Sequence, residues 1–202
     1  MSKIISGKLV DKKVRQKIYK SLEKGKMATI HAIVVHQTGA STAQHTFNSY
    51  TSSSNGAHFL IDKNGQIFQT AHTNQKTYHI GKVRSRCIET KSCSKAELST
   101  ANSIYLKKGL SYPVRVKNIH NHEKSKNYPD RYPTNNDSIG IEIVGNYNKS
   151  NSTYESVNSK QNLSLKWLVN ELTTHLQLNN SDIYRHPEVS YKQPSEAKTA
   201  KW

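Results

Sequence analysis

The sequence predicts an α/β fold in which a mixed central β-sheet is flanked by helices, and three features predict it. Thr29 to His36 is a run dense in β-branched residues, as suits a strand buried on both faces. Phe59 to Ile61 and Gln66 to Gln69 are short strands joined by Asp62-Lys63-Asn64-Gly65, whose Asn-Gly pair is a strong hairpin signal. Leu165, Leu168, Val169, Leu172 and Leu176 recur at the spacing of one helical face within Leu163 to Leu178.

Along the chain, Asp11 to Lys24 comes first. Val14, Ile18 and Leu22 form one stripe of a short basic amphipathic helix ended by Gly25, so residues 1–28 read as a basic helical extension. In the strand that follows, alternation puts Ile30, Ala32, Val34 and His36 on one side and His31, Ile33 and Val35 on the other. Thr42 to Tyr50 reads as a helix, and the hairpin follows it. Gly81 to Asn136 is polar, rich in Lys, Ser, Asn and Tyr, and 82–136 is expected to form a lobe walling a cleft. It holds both cysteines, Cys87 and Cys93, which either close a small loop in an oxidising compartment or stay reduced. On Ser138 to Val144, Ile139, Ile141 and Ile143 share one face, while Ser138, Gly140, Glu142 and Val144 share the other. Glycine weakens a strand without compensation, so Gly140 points to the close approach of another group. No linker or internal repeat divides the 202 residues, which read as a single domain.

Composition narrows the partners. Hydrophobic residues make up 34% of the chain and mean hydropathy is -0.79, so the core is modest and the loops are long. No apolar run is long enough to span a membrane, and Met1 to Lys8 lacks the apolar segment of a secretory signal. A net charge of +16, gathered in Lys8 to Lys26, Lys76 to Lys95 and Lys107 to Lys126, favours a polyanion. Nucleic acid is not expected, because no recognition motif appears and the basic stretches lack interleaved aromatics.

The chemistry-bearing residues are far apart in sequence. His36 closes the β-branched run, and Arg185-His186-Pro187 carries a second histidine 150 positions later. Glu196 stands ten residues beyond it. Two imidazoles and a carboxylate make a three-ligand zinc set with room for a water, the arrangement of a hydrolytic metal site.

Val34-Val35-His36, Gly56-Ala57-His58-Phe59 through Ile67, Tyr78-His79-Ile80-Gly81, Ser138-Ile139-Gly140-Ile141-Glu142-Ile143 and the tail from His186 to Trp202 follow one another in a familiar order. With them the chain resembles the zinc-dependent N-acetylmuramoyl-L-alanine amidases. That family includes peptidoglycan-recycling amidases, phage-type lysozymes and peptidoglycan recognition proteins. The resemblance covers Thr29 to Gly81 and Asp137 to Trp202, and a series of short motifs in order is far more specific than any one of them.

The resemblance implies a zinc site at one end of the sheet, with His36 and His186 as ligands. Glu196 falls where recycling-type members place an aspartate ligand, and Glu142 matches their general base. Phage-type members carry a tyrosine immediately before the His-Phe pair, where this chain has Ala57. Tyr78 and His79 belong to a motif bordering the family's substrate cleft. Two departures matter. Glutamate at the third ligand position requires a slightly displaced backbone, and Ser195 beside it is a poor zinc ligand. The lysine that the family tends to place two residues before the third ligand is here Pro194; Lys192 or Lys198 is left to meet the developing oxyanion, with Lys192 preferred. Among the other histidines, His58 reads as a structural ring bonded inside the sheet. His120 and His122 read as solvated in a polar loop, and His31, His45, His72 and His175 carry no assigned role.

The implied reaction is hydrolysis of the amide between the lactyl group of N-acetylmuramic acid and L-alanine of the stem peptide. The charge is excessive for an enzyme handling small soluble muropeptides, so the leading expectation is a lytic enzyme acting on intact peptidoglycan in the periplasm or cell wall. It would be a monomer made in the cytoplasm, acting as an endolysin or as an antibacterial effector with a secretion apparatus and a cognate immunity protein. An envelope target also tips Cys87 and Cys93 toward a disulfide. A cytosolic recycling amidase and a non-catalytic peptidoglycan-binding module are the other two classes.

Overall fold

The computed structural model describes residues 2–202. At the N-terminus β1 (Lys3–Ile5) and β2 (Lys8–Val10) form an antiparallel hairpin. Its turn places Ser6 and Gly7 at φ 48° and 81°, the doubly left-handed geometry of a tight hairpin. A side chain at Gly7 would also strike Asn74 Oδ1 at 2.5 Å. β3 (Val14–Gln16) follows, then a single 3-10 turn over Lys20–Leu22.

These elements correct the helix expected over Asp11 to Lys24 and the helical extension over 1–28. Val14, Ile18 and Leu22 are separated by even numbers, so a strand presents them on one face as readily as a helix does. A short helix is marginal alone, whereas β6 (Ile67–Gln69) offers an open ladder. Val14 pairs with Ile67 in parallel, and the Lys17 and Tyr19 N–H groups donate to the Gln69 and Thr70 carbonyls at 2.8 and 2.9 Å.

The main sheet is completed by β4 (Ala32–Gly39), β5 (Phe59–Ile61), β7 (Ser138–Asn148), β8 (Thr153–Tyr154) and β9 (Ile183–Arg185). Its order is β3-β6-β5-β7-β4-β9, with β8 pairing β7. The β5–β6 and β7–β8 pairs are antiparallel and the others parallel, so the sheet is mixed as expected. β4 runs on past His36 as far as Gly39.

One face packs on α5 (Ser159–Leu176), whose Leu165, Leu168 and Leu172 are fully buried against Ile33, Val35, Ile139, Ile141 and Ile143. Truncating any of these leucines to alanine costs about 2–5 kcal/mol. A capping box between Asn158 and Gln161 starts this helix a turn before its apolar stripe. On the opposite face, α1 (Ala43–Ser52) covers Leu60 and Val144 with Ala43, Phe47 and Tyr50. Farther along that face Ala32 and Val34 lie under Ile80, Val83, Tyr132 and Val189. Between these two apolar patches the sheet presents His36 and Glu142.

Residues 82–136 fold as α2 (Arg86–Glu89), α3 (Lys95–Tyr105) and α4 (Tyr112–Lys124), with α3 packed on α4. Cys87 and Cys93 are joined as a disulfide. Among the described residues no helix is long and apolar enough to cross a membrane.

Candidate metal centre

β4 and β7 run parallel with His36 opposite Glu142, so both side chains leave the sheet on one face. On the other flank of β4, Val35 pairs with Arg185, which brings His186 level with His36. His186 opens the short helix α6 (His186–Val189), and its ring lies 4.1 Å from that of His36, centroid to centroid. Glu196 enters from a turn closed by its N–H on the Gln193 carbonyl. The next residue, Ala197, is left-handed at φ 54°. Its N–H donates to Gln37 Oε1 at 2.9 Å and its carbonyl accepts from Arg185 Nε at 3.1 Å. A left-handed alanine costs about 1–2 kcal/mol, and these bonds offset it.

His36, His186 and Glu196 are all buried and offer ligand atoms within 4.8 Å of one another. Glu196 Oε1 lies 2.9 Å from His186 Nδ1 and 3.7 Å from His36 Nδ1. Zinc bonds of about 2.0–2.1 Å on a tetrahedron space the ligand atoms about 3.4 Å apart, and the observed pair brackets that spacing.

The hydrogen bonds behind the rings assign their tautomers. Ser138 Oγ donates to the Thr134 carbonyl at 2.6 Å and so accepts from His79 Nε2 at 3.2 Å. That leaves His79 Nδ1 to accept from His36 Nε2 at 3.0 Å, and His36 Nδ1 carries a free lone pair. His186 Nε2 donates to the Ile80 carbonyl at 2.8 Å, so its Nδ1 is likewise free. Two nitrogen lone pairs and a carboxylate oxygen aimed at one point repel one another unless a cation lies between them. The donor set therefore fits a zinc-type ion, with outer partners that orient each ligand. Burial, then the neighbouring His186, presses His36 down to about 3 and keeps it neutral. For Glu196, burial pushes upward, but the imidazoles of His186 and His36 at its carboxylate outweigh it and leave the carboxyl at about 2.

These groups form the floor of a cleft of about 470 Å³, lined also by Glu142, Tyr50, Tyr78, His79, Tyr154 and Lys192. Glu142 is half-buried, with Oε2 shut off from solvent and without a hydrogen-bond partner. Burial, then the Glu196 charge, raises it to about 8.

The other sequence-derived residues fall as follows. Tyr78 stands at the rim, 44% exposed. His79 lines the cleft, but both its ring nitrogens are engaged, so it braces His36. Lys192 is exposed on the cleft wall, whereas Lys198 lies on the far side of Glu196 with Arg185 and Pro187. Ser195 Oγ is taken by the Tyr154 N–H and the Ser152 carbonyl. His58 is bonded inside the sheet, accepting from the Gly140 N–H and donating to the Gln75 carbonyl. His120 sits on α4, not in a loop, and its Nδ1 accepts from the Val83 N–H.

No residue of 82–136 lines this cleft, which corrects the expectation of a walling lobe. Of the segment's apolar side chains, Ala101, Val116 and Ile119 are buried, whereas Leu98, Leu106 and Val114 are exposed. A groove among Arg84, Tyr105, Tyr112 and Tyr191 is separate from the cleft. Sequence reasoning missed Tyr50 and Tyr154 at the cleft. Nothing local marks them, because their placement depends on how α1 and β8 dock.

A family model described as N-acetylmuramoyl-L-alanine amidase matches residues 26–201. Among solved structures, an AmpD derivative is similar at 15% identity, TM-score 0.55, covering 94% of this chain and 89% of that one. PlyL is similar at 17% identity, TM-score 0.53, covering 89% and 84%. The endolysin N-acetylmuramoyl-L-alanine amidase LysCS from Clostridium intestinale URNW is similar at 17% identity, TM-score 0.51, covering 95% and 91%. At such identities the likeness is one of fold. No curated protein matches the chain.

Proposed function

Because the chain belongs to the N-acetylmuramoyl-L-alanine amidase family and is thereby a peptidoglycan amidase, we propose a zinc-dependent, wall-lytic enzyme. Its bond is the amide between the muramic acid lactyl group and L-alanine. The carrying observation is the convergence of His36 Nδ1, His186 Nδ1 and Glu196 Oε1 beside Glu142. His36, His186 and Glu196 would hold the ion; when bound, zinc supplies Lewis-acid polarisation and lowers a water's pKa toward about 7.

Glu142 takes a proton from the attacking water and returns it to the departing nitrogen. Glu142 shares its sheet face with His36 and lines the same cleft, which places its carboxyl for both tasks. Lys192, at the cleft wall, faces the negative charge that develops on the carbonyl oxygen. His79 and Ser138 keep His36 in the tautomer that points Nδ1 at the ion.

Two observations favour intact wall over soluble fragments. The +16 charge suits a polyanionic envelope. The Cys87–Cys93 disulfide suits an oxidising space outside the cytosol. The enzyme thus acts in the periplasm or wall, as an effector or endolysin. An acidic immunity protein in the producer would complement its surface, and a pull-down from producer lysate tests for that partner. The recycling reading draws on Glu142 together with Ala57, the pattern of that subgroup.

The test is digestion of intact, cross-linked peptidoglycan with zinc and after chelation, read by mass spectrometry. Zinc-dependent release of stem peptides bearing a free L-alanine amine is expected. Cleavage of small anhydro-muropeptides alone would select recycling, and silence on both would select a binding module.

A further inference from the structure

β7 carries a bulge just past the metal centre. Gln37 of β4 pairs with Ile143 but Gly39 with Asn146, so β7 holds one residue more than β4 over that stretch. Alternation alone would send Tyr147 to the α5 face with Ile143; the extra residue turns the strand over. Tyr147 stands directly opposite Tyr154 of β8, and cross-strand neighbours share a face. Tyr154 lines the catalytic cleft with Glu142, so both rings lie on the cleft side. Their centroids are 4.9 Å apart. Tyr154 also lines a second groove, of about 610 Å³, with Asn146, Tyr147, Asn148, Thr153 and Glu155. That groove therefore continues the cleft.

Its two tyrosines are half-buried and its two asparagines exposed. Glu155 is the one charged side chain in the lining, and it is tied to Lys63 Nζ at 2.7 and 2.9 Å and to the Asn146 N–H at 3.1 Å. We propose that Tyr147 and Tyr154 form a platform for a neutral pyranose of the wall glycan, which the Asn146 and Asn148 amides fix by hydrogen bonds. The inference rests on the amidase reading of the cleft. The C–H face of a pyranose is apolar and gains by covering a phenol ring. Its hydroxyl and N-acetyl groups need donors and acceptors at the ring's edge, and a carboxamide supplies both. A stem peptide carries carboxylates and calls for cations. The groove offers it none, whereas Lys192 stands in the cleft. The platform thus sets which way the substrate lies, with glycan over the β7–β8 hairpin and peptide toward Lys192.

The test is NMR titration of the full chain with the N-acetylglucosamine tetramer, a sugar without lactyl group or peptide, and separately with free stem peptide. The tetramer should shift the ring resonances of Tyr147 and Tyr154. Tyr147→Ala should weaken its binding about tenfold, the scale of one apolar ring face returned to water, and Tyr147→Phe should keep it within twofold. Asn146→Ala, at an exposed position, should weaken it about threefold with the melting temperature unchanged. Stem-peptide affinity should hold within twofold in all three. On the muramoyl peptide with zinc, the loss in Tyr147→Ala should appear in KM rather than kcat. A tetramer that leaves the pair unshifted, undiminished binding by Tyr147→Ala and Asn146→Ala, or shifts there from the stem peptide instead would overturn the proposal. Failure of the parent enzyme to cleave the muramoyl peptide with zinc would instead overturn the amidase reading, since the tetramer titration needs no catalysis.

Discussion

Substituting Gly140 by alanine tests the claim that the centre is braced from behind. Gly140 has ordinary strand geometry, so an alanine there should by itself be neutral or stabilising by about 0.4–1 kcal/mol through the unfolded chain. The surroundings reverse that sign. An added Cβ would sit 2.8 Å from His79 Nδ1, 2.9 Å from its Cγ and 3.0 Å from Ala57 Cβ. Normal contact is about 3.5 Å, so the ring would have to retreat by roughly 0.7 Å. It has little freedom to do so. Its nitrogens are bonded to His36 and Ser138, and its backbone N–H to Asn135 Oδ1 at 3.0 Å. Overpacking of this kind costs about 1–3 kcal/mol. Displacing His79 also releases the His36 ring, and loss of such an outer partner lowers metal affinity about 10–100-fold. Urea unfolding of the metal-free protein measures the first effect, and zinc competition with a chromophoric chelator the second. A variant as stable as its parent, with zinc affinity unchanged within twofold, would refute the bracing argument.

In the metal-free protein, Glu142 is raised from 4.5 to about 8, so the folded state holds a proton that the unfolded chain releases. Stability should therefore fall as pH rises across that interval, by about 2 kcal/mol once the water on its open side is allowed for. Glu142→Gln should flatten this fall in urea titrations at pH 5 and 9 while cutting hydrolysis at least about 100-fold. Gln69 is fully buried and ties the N-terminal hairpin to β6, donating to the Gly7 and Ala71 carbonyls and accepting from the Leu9 N–H. Gln69→Ala strands these groups and should lower stability by about 2–4 kcal/mol, with earlier amide exchange in β1 and β2. Opening the Cys87–Cys93 loop, whose ends are six residues apart, by serine substitution at both positions should lower stability by about 2 kcal/mol. Because no residue of that loop lines the cleft, kcat at 25 °C should be unchanged.

Much of the scaffold could be read locally. The β4 and β7 alternation, the Asn-Gly hairpin and the α5 stripe each reflect burial of one face, and that periodicity is written into adjacent residues. Gly140 carried a real signal too, since the His79 ring occupies the room its missing side chain leaves. Where a pattern served two periods, as with Val14, Ile18 and Leu22, the sequence was ambiguous. The open edge of β6 decided for a strand.

By itself, then, the sequence determined the sheet's central strands, the main helix, and the family with its His36, His186 and Glu196 set. These depend on residue type and order. Tertiary structure alone decided which atoms meet. The β4–β7 register sets Glu142 beside His36, and α1 docking puts Tyr50 at the cleft. The turn at Gln193 turns Lys192 inward and Lys198 away, and the Ser138–His79 relay selects the tautomer of His36. Such pairings depend on the docking of segments distant in sequence, which no local pattern encodes.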